Sequence, residues 1–207
     1  MLSGRKILLV LGAFSAFLAA VLFAVAAAGL SAADLVRDTT DTAKLPWWTG
    51  GFARLGISMW LVAAAFCVLA GIVVQRASRD RAIFFFVTAG LLTLLSFDDS
   101  FQIHEVVAPA HLGISEYAIY AVIAVAASLW AVRFRREILE SRLWLLGLAA
   151  IMLFGSVSSD VIERGSAAAE DWLKLTGIAA LALWCADTGI AAIWDAIGST
   201  QADGSED

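Results

Sequence analysis

Ile83-Phe84-Phe85-Phe86-Val87-Thr88-Ala89-Gly90-Leu91-Leu92-Thr93-Leu94-Leu95 runs straight into Ser96-Phe97-Asp98-Asp99-Ser100-Phe101-Gln102-Ile103-His104-Glu105, with His111 shortly after. The first half reads as a lipid-spanning helix. The second half puts carboxylates and an imidazole where such a helix should stay apolar. Both histidines of the chain lie in this stretch. Ionisable groups inside a span are costly, and by default they mark a site.

The rest of the chain places that stretch in a bilayer. Hydrophobic residues make up 61% and charged residues only 16%, and the mean hydropathy is +0.84. A soluble domain carries about 45–50% apolar and about 25% charged residues. Few prolines and long Ala/Leu/Gly-rich runs indicate membrane helices rather than the alternating strands of a barrel. A net charge of −5, with no basic cluster interleaved with aromatics, excludes a nucleic-acid binder. Cys67 and Cys185 each sit within an apolar run without metal or redox spacing. They read as small buried hydrophobes.

Six apolar runs follow in order: 7–30, 52–74, 83–107, 117–132, 143–162 and 172–197. The first is nearer the roughly 20 residues of a span than the roughly 7–15 of a signal peptide, so it reads as a retained helix. The expected fold is all-α, a polytopic six-transmembrane-helix bundle. Residues 1–197 form its single domain, and 198–207 a disordered acidic tail. Arg5, Lys6 and the arginine-rich loops at 75–81 and 133–142 fall on one side. The positive-inside rule therefore makes both termini cytoplasmic, in a multi-pass protein of a bacterial inner membrane. Acids crowd the opposite side and outnumber its basic residues, which points to an outward-facing site for cations or protons.

At about 100° per residue, Asp98, Gln102 and Glu105 share one helix face, Ser100 and His104 another, and Asp99 falls between. His111 would join His104 if the helix continued through Pro109. With about 1.5 Å per residue, Asp98 lies roughly 22 Å from Ile83 and Glu105 roughly 33 Å. In the fifth run, Ser156, Asp160 and Glu163 share a face by the same spacing. The expected metal ligands are His104, Glu105, Asp98, Asp160, Glu163 and His111. Glu105 and Asp99 are the expected catalytic carboxylates, acting as base towards a bound water. Mixed nitrogen and oxygen donors suit zinc, iron or manganese rather than calcium.

Plainer readings compete with this one. Arg54, Arg164 and Lys174 could neutralise the acids in a structural ion-pair network. Glu170 and Lys174 form an i, i+4 pair at a helix start. Asp187, deep in the last run, reads as a salt bridge to a loop arginine such as Arg133 or Arg76, or as the inner station of a proton path.

The pattern Asp98-Asp99-x-x-x-x-His104-Glu105 at a helix end resembles a motif of uncharacterised small bacterial membrane proteins, a likeness that implies no activity. Ser100-x-x-x-His104 beside Asp99 looks like one element of the CREST superfamily of membrane hydrolases, which includes alkaline ceramidases and progestin/adiponectin-type receptors. Those proteins have seven spans and further zinc-binding histidines on a late helix. Here no histidine follows His111, so carboxylates of the fifth run would have to replace them. The leading expectation is a metal-binding membrane protein, with metal-dependent hydrolysis of a lipid or small molecule as its chemistry. A proton- or cation-coupled transporter or channel and a non-catalytic assembly partner are the alternatives. The expected partners are the lipid bilayer and a second copy of the chain.

Overall fold

A computed structural model of the chain describes residues 4–29, 43–46, 49–161 and 167–203. The described residues are mostly helical, with no strand among them. The chain divides into two compact units, Met1–Thr49 and Gly50–Asp207. The first holds α1 (Gly4–Ala27), whose Ser15–Ala27 portion is a short apolar helix. The second holds α2 (Gly51–Val74), α3 (Arg79–Phe101), a π-helical segment (Ile103–Leu112), α4 (Glu116–Arg133), the short α5 (Arg135–Leu139), α6 (Leu143–Val161) and α7 (Ala167–Asp203).

Among the described residues, four helical stretches are long and apolar enough to cross a membrane: Gly51–Val74, Arg79–Phe101, Glu116–Arg133 and Ala169–Gly198. The apolar part of α6, Leu143–Ser159, is shorter. The third span differs from its expected length. It stops at Phe101 rather than continuing to 107, because Gln102 turns into the left-handed region at φ 49°.

The second unit is built on three close helix pairs, α2 with α3, α2 with α7, and α6 with α7. Lipid tails are as apolar as leucine, so helices in a bilayer associate through close packing and internal hydrogen bonds. Both devices are present. Ala63, Ala64, Cys67, Ala70 and Gly71 form the buried face of α2. Cys185 and Ala192 of α7 are buried in the same core. Cys67 and Cys185 are thus the buried free thiols expected from their apolar surroundings.

Near the arginine-rich loops an aromatic cluster fastens several elements. The fully buried Phe84 ring lies 5.0 Å from Phe85, 5.4 Å from Phe134, and 6.1 Å from both Trp130 and Trp184. Each indole N–H finds a hydroxyl, Trp130 donating to Thr88 at 3.0 Å and Trp184 to Ser141 at 2.8 Å. An indole left unpaired there would forfeit that bond in a medium without water. Ser78 caps α3 by accepting the Arg81 amide at 3.3 Å. The Arg81 guanidinium reaches Asp195 of α7 at 2.9 Å. Asp187 pairs with Arg142 at 2.9 Å. The expected loop arginine is therefore present, but it is Arg142 rather than Arg133 or Arg76.

At Gly177 a Cβ would lie 2.7 Å from the Leu153 side chain and 3.0 Å from its backbone nitrogen, whereas one at Gly147 would meet nothing within 4 Å. Gly177→Ala should therefore separate α6 from α7 and cost about 1–3 kcal/mol, the usual range for overpacking. Gly147→Ala should be neutral or slightly stabilising. Unfolding of both variants in detergent checks the contrast.

Candidate metal centre

The site exists because α3 ends abruptly. Gln102, with φ 49° and ψ 45°, closes the helix while its amide still reaches the Asp98 carbonyl. A non-glycine residue in that region costs roughly 1–2 kcal/mol. The chain then winds more widely, Val107 N–H reaching the Gln102 carbonyl at 3.1 Å in an i→i+5 bond. Pro109 lies within this segment, and Gly113, at φ 65°, ends it. Short π segments are rare and recur at functional sites.

The break resets the helical phase. Continuous α geometry would put His104 on a different face from Asp98. Instead, Asp98 Oδ1 accepts the His104 backbone N–H at 3.1 Å, and Asp98 Oδ2 stands 2.6 Å from His104 Nδ1. Asp98 thus caps the start of the π segment and orients the ring it carries. On the opposite edge of that ring, Nε2 faces Glu105 Oε1 at 3.3 Å. Gln102 makes a long contact of 3.5 Å to the other Glu105 oxygen. The Tyr120 ring of α4 covers the imidazole, with centroids 5.2 Å apart. His104 is buried, and Asp98 and Asp99 are half-buried.

Asp99 turns elsewhere. Trp60 Nε1 donates to one of its oxygens at 2.9 Å and Lys174 Nζ to the other at 2.7 Å. The counter-charge at Asp99 is therefore Lys174 of α7. Lys174 was expected both as the i, i+4 partner of Glu170 and as one of three cations able to neutralise the acids, and the second role is seen across 75 positions. Asp98, Asp99 and His104 each bring a ligand atom within 4.8 Å of the others, so this group could hold a metal ion.

The remaining expected residues are distributed as follows. Glu105 joins the cluster through His104. His111 is exposed at the last turn of the π segment, and it is not in the Asp98–Asp99–His104 group. Ser156 of the α6 stripe is buried and lines a cavity beside the cluster. The Asp160 side chain and all of Glu163 lie outside the described residues, as does Arg164. Ser100 donates to the Ser96 carbonyl at 2.6 Å, within its own helix.

Two cavities share the cluster as a wall. One, of about 210 Å³, opens towards Phe52 and Gly56 of α2 and is lined further by Glu170 and Asp171 of α7. The other, of about 170 Å³, has mainly apolar sides formed by Trp60, Leu95, Ile123, Leu153 and Val157. Asp99, His104, Glu105, Glu170 and Lys174 face both.

The ring between two carboxylates has an electrostatic consequence. The Glu105 hydrogen bond, then Asp98, holds the His104 pKa above its ordinary 6.5 against the opposing effect of burial. The same His104 bond holds Glu105 below its ordinary 4.5. His104 gains a proton more readily when folded, so its contribution is complete below about pH 6.5 and fades as pH rises through the folded pKa. Glu105 behaves in the opposite way, contributing fully above about pH 4.5 and losing this as pH falls. Metal-free protein should therefore draw its largest stability from this pair between about pH 4.5 and 6.5. Thermal unfolding of His104→Gln in detergent should show a flatter pH profile than the parent.

No curated protein and no solved structure matches this chain. The likeness to membrane hydrolases accordingly rests on the Ser100–His104 element alone. Over residues 5–188 the chain matches a family model described as a domain of unknown function, and it belongs to that family, DUF8692.

Proposed function

We propose that this chain is a six-span inner-membrane protein whose outward-facing acid–histidine cluster binds a divalent transition metal. The observation that carries the reading is the alignment Asp98–His104–Glu105. When Nδ1–H donates to Asp98 Oδ2, 2.6 Å away, Nε2 keeps its lone pair, the arrangement by which carboxylates orient metal-binding histidines. Nε2 and Glu105 Oε1 are 3.3 Å apart. Two ligands about 2.1 Å from a tetrahedral ion lie about 3.4 Å apart, so this pair has the spacing of one edge of a zinc-like site. The nearby carboxylate of Asp99 offers a further oxygen donor.

The donor set supports the same reading, since Asp98, Asp99 and Glu105 stand beside His104 in the wall of one cavity. Nitrogen beside oxygen donors favours zinc, iron or manganese. A bound metal of this kind supplies an activated water, and Glu105 or Asp99 would take its proton. A through-membrane proton or cation path has less support. Its expected inner station, Asp187, is paired with Arg142 and lines neither cavity.

Protein purified without chelator should carry about one metal ion per chain by elemental analysis, as a single closed cluster requires. His104→Ala should lose it, and Asp98→Asn should weaken it on the order of 10–100-fold, the usual cost of removing an orienting carboxylate. Lys174→Gln separates this reading from a purely structural network. If a metal binds, removing the competing ammonium preserves or tightens binding. Loss of stability in Lys174→Gln, with no metal in the parent protein, would sink the proposal.

A further inference from the structure

The mainly apolar cavity beside the cluster is graded from one end to the other. Tyr120 of α4 meets His104, and Trp130 further along the same helix meets Phe84, so α3 and α4 run in opposite directions between the acid–histidine cluster and the aromatic cluster. α6 starts beside Ser141, which Trp184 of the aromatic cluster bonds, and runs towards the acid–histidine end. On each of these helices the cavity-lining residues follow one order. Leu95 lies one turn nearer the aromatic cluster than Asp98 and Asp99, Ile123 one turn nearer than Tyr120, and Leu153 one turn nearer than Val157. One turn is about 5.4 Å. Three aliphatic side chains thus form a floor about one turn below the polar wall. The buried Trp60 stands beside both, lining the cavity while its indole N–H holds Asp99.

Protein interiors pack closely, and few of their voids exceed a water molecule. This one is about 170 Å³. An apolar cavity of about 150 Å³ takes up benzene, so the space suits an apolar group of about six carbons and falls short of a full lipid tail. The wall above the floor contains His104, Glu105 and Asp99, the three donors of the metal site. A tetrahedral metal held by three protein donors keeps its fourth position for an exogenous ligand. A ligand entering from this cavity meets the donors with its head and the aliphatic floor with its tail.

We propose that the apolar cavity is the tail pocket of the metal site, taking a group of about six carbons from a ligand whose carboxylate or carbonyl oxygen binds the metal. The inference rests on the cluster being a metal centre. It adds the ligand class, a short-chain acyl compound rather than an inorganic ion or a long-chain lipid.

The test titrates straight-chain hydroxamates, whose two oxygens bind a metal, into the full chain in zinc-loaded nanodiscs, with zinc content measured on the same samples. Each buried methylene tightens binding about threefold to fourfold, so hexanohydroxamate should bind about tenfold more tightly than butanohydroxamate. From hexanohydroxamate to decanohydroxamate the gain should stop, because the pocket is full. Ile123→Trp should remove the advantage of the hexano form while zinc content and acetohydroxamate affinity stay at the parent level. Val157→Phe is the second variant should Ile123→Trp fail to fold. Affinity that climbs undiminished to the decano form, as partition into a bilayer does, overturns the inference. Equal affinity for the butano and hexano forms, as in a pocket already filled by lipid, overturns it too. In both cases zinc remains bound and the metal reading stands, whereas a parent protein that binds no zinc overturns both.

Discussion

One carboxylate, Asp98, receives both the backbone N–H and the Nδ1 of His104, and the local architecture follows from this double attachment. It lets α3 end without leaving the first amide of the next segment unsatisfied, which in a nonpolar setting costs several kcal/mol. It also offsets the strain of a left-handed Gln102. The ring it holds is in turn the reason that Glu105 and Tyr120 converge. The carboxylate is at once a helix cap and a ring orienter, and it belongs to the group that could hold a metal ion.

The two ends of the second unit are built to different rules. Around Phe84 the packing is aromatic and closed, and each of the indole protons of Trp130 and Trp184 finds a hydroxyl. Around His104 the packing is looser, with cavities on two sides and polar side chains between them. Close helix contact through small residues holds the unit together, and it continues to the acidic end, where Gly56 meets Ile178. Lys174 and Trp60 reach in from α7 and α2 to hold Asp99, leaving no unpaired charge at that position.

The apolar runs, the helical class and the location of the candidate site were all legible in the chain, because burial in lipid demands long uninterrupted hydrophobic segments and makes each exception conspicuous. The thiols of Cys67 and Cys185 followed from the same logic. Less legible was the mutual placement of the acids. Periodicity assigned Asp98 and His104 to different faces, an inference valid only while the helix continues, and Gln102 breaks it. The third span accordingly ends at Phe101 instead of extending to 107. The partner of Asp99 was legible only as one of three cations, Arg54, Arg164 and Lys174, and nothing along the chain ranks one acid above another as the partner of Lys174.

What the sequence by itself determined is the medium and the inventory: helices for a bilayer, and a concentration of acids and two histidines at the end of one of them. Hydrophobicity and local spacing are additive along the chain, so they can be read residue by residue. Only the tertiary structure decided which groups meet. Contacts between helices depend on the phase in which each helix arrives, and one left-handed residue followed by a wide π turn rotates every later side chain. That rotation placed His104 between Asp98 and Glu105, and packing of α7 against α2 brought Lys174 to Asp99.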